Sequence, residues 1–334
     1  MAPRSLGGNT PRHIPGRGLD AIADPEHRAM AAGVLVSGLV DEIIAMTDSF
    51  DGVFDRDRVR AEVEALAAEF VAAGLACPTA HISHLTVMRG LMLPIADSAL
   101  SCALSRVWVL ATYADDVVAC RDRAEVILRA GMLADRPVRS PLAGAMRRAL
   151  DEVGRFCDPT FLAVYRSLYY RSVVGVLMED EFTPTVSDEI DTEYVRVLTG
   201  FCDFWFITLQ FAAPCLHTGT NWGFWTAALS SMVAFLNDFN DVLSFSKEAI
   251  NGTDFRASLV YRRSVQENTS YLDSYRRTLD GGVAAYRRIL RLATDEQRPH
   301  LDRYMTGFIY WYLRSARYGW QAIQPSLTPL DMAL

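Results

Sequence analysis

The sequence predicts an all-α protein that folds as one helical bundle. Apolar residues recur at spacings of three and four along most of the chain, and no alternating β-branched run predicts a strand. The breaks between periodic segments fall at short Gly, Pro or polar clusters, and none reads as an interdomain linker. With 334 residues, of which 50% are hydrophobic, the chain can bury a large core. We expect about ten long helices in a single domain.

The first elements follow from composition and helix-start signals. Residues 1–22 are rich in Gly, Pro and Arg and lack periodicity, so they predict a disordered N-terminal tail before a domain over 23–334. Asp24 followed by Pro25 is typical of an N-cap and a first helical position. The next helices are predicted over 55–73 and 98–120.

Proline residues open the two helices that follow. Ser140-Pro141 precedes a periodic segment over 142–156, and Asp158-Pro159 precedes another over 161–181. The remaining helices are predicted by periodicity over 191–216, 222–250, 265–293 and 295–324.

Charge and cysteine usage exclude several functional classes. The formal net charge is −7. Because nucleic acid and anionic membranes attract basic surfaces, we expect neither as a partner. Six scattered cysteines without a CxxC pair are typical of reduced thiols, and no signal-peptide pattern begins the chain, so we expect a cytoplasmic protein.

Of the two most apolar stretches, 93–114 contains Asp97 and Arg106, and 204–216 is too short to span a bilayer. We expect no integral membrane association.

Two adjacent acids, Asp115 and Asp116, stand at the end of a very apolar helix. Neighbouring carboxylates repel each other and are costly to desolvate, so a bound cation would explain them. A helix that simply emerges into solvent would explain them as well. The pair alone does not distinguish a bound cation from a solvent-exposed helix end.

Asn240, Ser244 and Glu248 recur every four residues after the apolar segment 232–236. Each step of four turns about 40° around a helix and rises about 6 Å, so the three side chains share one face. An amide, a hydroxyl and a carboxylate are hard oxygen ligands that suit Mg²⁺ when it also binds water and phosphate. Lys247 adds the positive charge that a diphosphate requires. A solvated helix face is the alternative, but it rarely has this composition.

The segment 240–248 reads NDVLSFSKE, and here the chain resembles the class I terpene synthases, in particular sesquiterpene cyclases of the trichodiene synthase type. The family's second metal motif, ND-x-x-S-x-x-K-E, matches at every defining position. Asp115-Asp116 lies about 125 residues upstream, near the place of the family's aspartate-rich motif. The resemblance covers roughly residues 80–325 and implies an isoprenoid-synthase helical bundle with a central active-site cavity.

Further residues match the family outside the metal motifs. Arg317-Tyr318 resembles its C-terminal Arg-Tyr pair, which hydrogen-bonds diphosphate, and Arg196 lies close to the place of its diphosphate-sensing arginine. Gly200 suits the helix break that the family has near the reacting carbon. The resemblance therefore implies that Arg196, Lys247, Arg317 and Tyr318 bind the substrate diphosphate and serve catalysis together with Asp115.

The first metal motif departs from the family pattern. The family has DDxxD, DDxxE or DDxxxE, whereas here the pair is followed by VVAC and the next acids are Asp122 and Glu125. In the family the first aspartate carries most of the coordination, which implies Asp115 as the main ligand, with Asp116 and Asp122 as weaker candidates. The implied metal ligands are Asp115, Asp116, Asn240, Ser244 and Glu248.

The resemblance implies a Mg²⁺-dependent cyclase, with three ions in the site and Mn²⁺ as a substitute. Such an enzyme ionises a linear prenyl diphosphate, here most closely farnesyl diphosphate, to a carbocation that cyclises to a sesquiterpene with release of diphosphate. C10 and C20 substrates stay open, and homodimers are common in the family.

Aromatic side chains on the predicted helices are candidates to line the cavity, because aromatic faces stabilise positive charge. For any one of them, ordinary helix packing in the core is the favoured alternative. The candidates are Trp108, Tyr113, Tyr169, Phe204, Phe235, Phe308 and Trp311.

Two rival functions remain. Asn237-Asp238-Phe239-Asn240-Asp241 faintly imitates the second DDxxD motif of chain-elongating prenyltransferases, although its first acid is missing. A non-catalytic helical protein that binds a prenyl or lipid ligand is the other rival, and the incomplete first motif favours it.

Overall fold

The computed structural model describes residues 18–117, 141–182, 192–251 and 258–330, and within these ranges the regular elements are helices without a strand. The all-α prediction is confirmed. The α-helices, numbered in chain order, are α1 Pro25–Val36, α2 Leu39–Ala45, α3 Arg56–Ala72, α4 Thr79–Met92, α5 Ser98–Val117, α6 Pro141–Val153, α7 Pro159–Phe182, α8 Thr192–Thr199, α9 Cys202–Phe206, α10 Thr218–Asn251, α11 Leu259–Gln266, α12 Tyr271–Leu292, α13 Arg298–Arg314 and α14 Trp320–Ile323.

The packed part of the chain begins earlier than predicted. The predicted tail falls largely on residues 1–17, which lie outside the described residues. Within its last residues, however, Gly18–Ala21 forms a 3₁₀ turn and Ile22 is completely buried. Arg28 of α1 donates two hydrogen bonds to the carbonyl of Ile22, at 2.9 and 2.6 Å. Residues 18–22 therefore belong to the domain.

Helix α4 was not predicted, and its burial explains why. Every residue from Ile82 to Met92 is buried, including polar ones such as His84 and Arg89. A helix that is enclosed on all sides has no polar face, so the periodicity that identifies surface helices is missing. It packs against α3, α5 and α13, in the interior of the bundle.

Three of the longer predicted helices are divided in the structure. The segment 191–216 becomes α8, α9 and two short 3₁₀ helices, because the chain turns sharply at Gly200 and at Phe201, whose φ is +51°. The segment 265–293 is interrupted before Ser270, whose side chain caps the amide of Asp273 at the start of α12. The segment 295–324 contains the end of α13 at Arg314 and a turn before α14.

The most apolar stretches do not form membrane-spanning helices. Most of 93–114 lies in α5, whereas 204–216 is divided between α9 and two 3₁₀ helices. In the ranges that the structure describes, no helix is both long enough and apolar enough to cross a membrane.

A buried ion pair joins the three helices on one side of the bundle. Arg89 of α4 donates to Glu62 of α3 at 3.0 Å and to Ser105 of α5 at 2.7 Å, and Ser105 donates to Glu62 at 2.8 Å. Ser101 also donates to Glu62. The pair holds α3, α4 and α5 in register because breaking it would leave a buried charge without its counterion.

The long helix α10 carries the residues of interest, and its neighbours determine what they contact. It packs along α12 over much of its length and also contacts α8, α9, α11 and α13. The backbone at Asn221 is not helical, so the regular part of α10 begins at residue 222, where the sequence predicted it.

Candidate metal and diphosphate site

Asn240, Ser244 and Glu248 lie on one face of α10, as the spacing predicted. Ser244 and Glu248 are buried, and the Ser244 hydroxyl donates to Glu248 Oε1 at 2.6 Å. Asn240 is partly exposed. The three side chains therefore form a continuous row of oxygen atoms that faces the interior more than the solvent.

The second carboxylate oxygen of Glu248 is the feature of this row that points to a ligand. Glu248 Oε2 is buried and has no hydrogen-bond partner among the described residues. Burial, reinforced by the negative charge of Asp241, raises the pKa of Glu248 to about 7. A buried, unpaired carboxylate oxygen is costly, and a bound cation would remove that cost.

Arg196 of α8 reaches across to the same face of α10. Its Nη2 donates to Asn240 Oδ1 at 2.5 Å and to Asp241 Oδ1 at 2.9 Å. The side chain of Arg196 is 20% exposed and that of Asp241 is 5% exposed, so solvent screens this ion pair only weakly. The guanidinium contacts the oxygen that the sequence analysis assigned to a metal.

Helix α8 is held in place from two sides. On α7, Gly175 permits a close approach, because a Cβ there would lie 2.4 Å from the carbonyl carbon of Leu198. On α11, Arg263 donates to Glu193 at 2.5 Å and to Thr278 of α12 at 2.9 Å. These contacts fix the short helix that carries Arg196.

Asp241 connects the site to the start of α11. Its Oδ1 accepts from Arg196, while its Oδ2 accepts from the backbone amide of Leu259 at 3.2 Å. The acidic residue of the NDxxSxxKE motif that was not assigned to metal therefore ties together α8, α10 and α11.

Tyr312 of α13, which the sequence analysis did not select, contacts both halves of the site. Its buried hydroxyl accepts from Asn240 Nδ2 at 2.5 Å. The rings of Tyr312 and Tyr318 are 4.1 Å apart between centroids. Tyr312 thus joins the row on α10 to the predicted Arg-Tyr pair.

Two cations lie over the ring of Tyr318. Lys247 Nζ is 6.0 Å from the ring centroid, and Arg317 Cζ is 5.9 Å from it. Both side chains are partly exposed, while Tyr318 is buried. The structure therefore brings Arg196, Asn240, Lys247, Arg317 and Tyr318 into one connected group.

A buried histidine anchors the turn that carries the Arg-Tyr pair. The Nε2 atom of His84 lies 2.9 Å from Ser315 Oγ, which also accepts from the amide of Arg317 at 3.2 Å. The His84 ring packs against Trp311 with centroids 4.6 Å apart. Burial, and secondarily the charge of Arg317, lowers the pKa of His84 well below its ordinary value.

The end of α5 packs beside α4. The structure places Asp115 and Asp116 in the last turn of this helix and describes only their backbone, while Asp122 lies outside the described residues. Two residues before the pair, the Tyr113 ring packs edge-on against His81, with centroids 6.0 Å apart. His84 follows one turn later on the same face of α4, and its ring centroid is 6.5 Å from that of Tyr318. One face of α4 therefore contacts both the end of α5 and the Arg-Tyr pair.

The aromatic candidates divide into two groups within the buried core. Trp311 and Phe308 contact Tyr312, with ring centroids 4.9 and 4.7 Å away, and Tyr113 contacts His81 of α4. Phe235 contacts Phe308 at 6.0 Å between centroids. Trp108, Tyr169 and Phe204 pack with Trp205, Tyr165 and Phe201 instead, in contacts such as the 4.4 Å stacking of Phe204 on Tyr165.

Two buried acids that are not proposed as metal ligands form ion pairs with arginines. Asp203 pairs with Arg171, and Asp238 pairs with Arg263 at 3.4 Å. Burial raises the pKa of both acids, that of Asp238 to about 7. Neither arginine is close to its partner in the chain, so the sequence alone does not indicate these pairs.

The donor set fits a hard divalent cation that shares its ligands with an anion. No group of three or more His, Cys, Asp or Glu side chains in the described ranges could hold a metal by itself. The row on α10 instead combines one carboxylate with an amide and a hydroxyl, which is the mixed set that Mg²⁺ binds when water and phosphate complete its shell. The unpaired Glu248 Oε2 is the observation that favours this fit.

A comparison with models of known protein families gives no match for this chain, and a comparison with curated proteins gives none.

Proposed function

We propose that this chain is a Mg²⁺-dependent class I terpene cyclase that ionises a linear prenyl diphosphate and releases diphosphate. The observation that carries the proposal is the connected group of five predicted residues around Asn240. Three cationic side chains, those of Arg196, Lys247 and Arg317, adjoin a row of amide, hydroxyl and carboxylate oxygens. A cation-binding row beside clustered positive charge suits a metal–diphosphate pair.

Asn240, Ser244 and Glu248 would hold the metal, with Asp115 and Asp116 as proposed ligands from the second helix. When bound, Mg²⁺ supplies Lewis-acid stabilisation of the negative charge that develops on the leaving diphosphate. The remaining work falls to the protein's own side chains.

Arg196, Lys247 and Arg317 would donate charge-assisted hydrogen bonds to the diphosphate oxygens, and the Tyr318 hydroxyl would add a neutral one. Their stabilisation of developing charge is strongest where water is excluded, and Tyr318 is buried. As the carbon–oxygen bond breaks, both bonding electrons leave with diphosphate and an allylic cation remains. The aromatic faces of Phe308, Trp311 and Tyr113 are the nearest candidates to stabilise it.

The substrate we propose is farnesyl diphosphate, with the C10 and C20 homologues as alternatives within the same class. This choice rests on the resemblance to sesquiterpene cyclases, and the metal and diphosphate residues would serve any of the three. We further propose a cytoplasmic enzyme that handles a small-molecule substrate, and a homodimer as its assembly.

The contacts of the 237–241 segment weaken the prenyltransferase alternative. Asn237 Oδ1 lies 2.9 Å from Cys202 Sγ, and Asp238 pairs with Arg263 on the side of α11 and α12. Asp241 accepts from Arg196 and from the amide of Leu259. These residues bind different neighbours, so their side chains do not converge on one metal site of the DDxxD kind.

The test incubates the purified protein with Mg²⁺ and, separately, geranyl, farnesyl and geranylgeranyl diphosphate, followed by gas chromatography–mass spectrometry of the extract. We expect a volatile C15 hydrocarbon or alcohol from farnesyl diphosphate and none from the Glu248→Ala variant. Ser246→Ala is the matched control, since Ser246 lies on α10 but points about 200° away from Ser244.

The rivals give different results in the same assay. A chain-elongating enzyme would release diphosphate only with added isopentenyl diphosphate, and a binding protein would release none. Folded protein that turns over none of the three substrates would contradict the proposal.

A further inference from the structure

The orientation of the Asn240 amide is determined by its two neighbours. A guanidinium only donates hydrogen bonds, so the atom facing Arg196 Nη2 at 2.5 Å must be the amide oxygen. The amide nitrogen then faces the Tyr312 hydroxyl, which accepts its hydrogen bond at 2.5 Å. Tyr312 therefore holds the nitrogen away from the side on which the oxygen is presented.

The hydrogen bond from Asn240 to Tyr312 matters most when Arg196 leaves Asn240 to bind an anion such as diphosphate. An asparagine amide can rotate by half a turn, which exchanges an acceptor for a donor that no metal binds. Tyr312 lies in the packed interior between Phe308, Trp311 and Tyr318, with ring centroids 4.7, 4.9 and 4.1 Å away. Its hydroxyl is thus a fixed acceptor, which favours one of the two amide orientations.

Tyr312 also touches the diphosphate half of the site. Its ring packs against that of Tyr318, with centroids 4.1 Å apart, and Lys247 and Arg317 lie over the Tyr318 ring. Tyr312 therefore connects the row on α10, through its hydroxyl, with the Arg-Tyr pair, through its ring.

We propose that Tyr312 is a positioning residue that presents the Asn240 amide oxygen to the metal. The inference rests on the proposed function and adds a residue that the NDxxSxxKE pattern does not contain. Residues that orient metal ligands typically change metal affinity about tenfold to a hundredfold when they are removed.

The experiment measures Mn²⁺ binding by electron paramagnetic resonance in the presence of inorganic diphosphate, without prenyl substrate. We expect Tyr312→Phe to weaken Mn²⁺ binding by about tenfold or more. The matched control is Tyr275→Phe, because the buried Tyr275 hydroxyl donates to the backbone of the same helix at Val242, at 3.0 Å. Tyr275→Phe is expected to shift the unfolding midpoint similarly but to leave Mn²⁺ binding unchanged.

A double variant distinguishes the effect of Tyr312 on the orientation of the Asn240 amide from a general effect on packing. In Asn240→Asp both terminal atoms are oxygens, so no orientation is needed and adding Tyr312→Phe should not weaken Mn²⁺ binding further. If Tyr312→Phe does not fold, the pair Tyr312→Gln and Tyr312→Leu replaces it, and only the glutamine, which retains an acceptor oxygen, should retain affinity.

Each outcome has a distinct meaning. Equal Mn²⁺ affinity of Tyr312→Phe and Tyr275→Phe, or an equal loss in the Asn240→Asp background, overturns the role of Tyr312 and leaves the proposed function standing. Absence of Mn²⁺ binding by the unaltered protein overturns the proposed function itself and this inference with it.

Discussion

Arg196 donates to the amide oxygen of Asn240 across 44 positions of sequence, at 2.5 Å from Nη2 to Oδ1. The same nitrogen contacts Asp241 at 2.9 Å, so one guanidinium covers both residues that open the motif on α10. In the proposed function Arg196 exchanges this contact for the diphosphate, which leaves the amide oxygen to the metal. The exchange makes Arg196 the most informative residue to change.

Arg196→Ala should lower kcat/KM for farnesyl diphosphate by about a hundredfold to a thousandfold, the usual effect of losing one donor that stabilises a leaving oxyanion. Arg196→Lys should recover only part of this loss, because a lysine ammonium lacks the planar fork that contacts two acceptors. Steady-state kinetics at saturating Mg²⁺ measures both. Arg298→Gln, which removes an exposed contact to Asp295, should not change kcat/KM and is the control. A wild-type kcat/KM for Arg196→Ala would remove it from the mechanism.

Ser244→Ala should raise the Mg²⁺ concentration for half-maximal activity by tenfold or more, since it deletes one oxygen of the row on α10. Ser246→Ala deletes a buried hydroxyl two residues away, which has no hydrogen-bond partner among the described residues, so it should leave the Mg²⁺ dependence unchanged. Mg²⁺ titrations of activity check both variants. The metal assignment fails if the two serines give the same titration curve.

Gly175→Ala should destabilise the protein by about 1–3 kcal/mol, the usual cost of overpacking. The new Cβ would meet the backbone of Leu198 at 2.4 Å, and α8 with Arg196 would have to move. Gly33→Ala in α1 meets nothing within 4 Å and should instead stabilise by roughly 0.5–1 kcal/mol. Urea denaturation gives both values, and similar values for the two variants would contradict the close approach of α7 and α8.

Arg89→Leu should reduce the free energy of unfolding by about 3–5 kcal/mol, because Glu62 would stay buried without its counterion. The exposed pair between Arg276 and Glu42 provides the comparison, and Arg276→Gln should cost at most about 1 kcal/mol, since solvent screens that pair. Chemical denaturation monitored by circular dichroism measures both. Equal costs would mean that burial does not strengthen the Glu62–Arg89 pair.

The buried His84 should make stability depend on pH below its ordinary pKa of 6.5. Burial holds the folded pKa well below that value, so as pH falls from 6.5 the unfolded chain takes up a proton that the folded chain does not. The free energy of unfolding should then fall by up to about 1.4 kcal/mol per pH unit, and this group should have no effect above pH 6.5.

His84→Gln should remove this part of the slope between pH 6.5 and the folded pKa. His300→Gln, a change at a partly exposed histidine of α13, should keep the slope of the unaltered protein. Denaturation midpoints at several pH values measure the three slopes, and identical slopes for all three proteins would show that His84 is not held neutral.

The sequence alone determined the helical class, because amphipathic periodicity records which side of a helix faces the core. It also placed Asn240, Ser244 and Glu248 on one face, since that relation depends only on the geometry of a single helix. Helix α4 was missed because a helix buried on all sides carries no such periodicity. The break at Gly200 was expected from the resemblance, but the close approach of Asn237 Oδ1, which would lie 2.2 Å from a Cβ at that position, was not visible in the chain.

Only the tertiary structure decided which partners complete the row on α10. Arg196, Lys247, Arg317 and Tyr318 were selected by resemblance, and their assembly around Asn240 depends on how α8, α10 and the turn after α13 pack. Tyr312, Asp241 and His84 gain their roles from contacts across 18 to 231 positions of sequence. No local pattern encodes such pairs, because a tyrosine or histidine in a helix has the same spacing whether it packs in the core or orients a ligand.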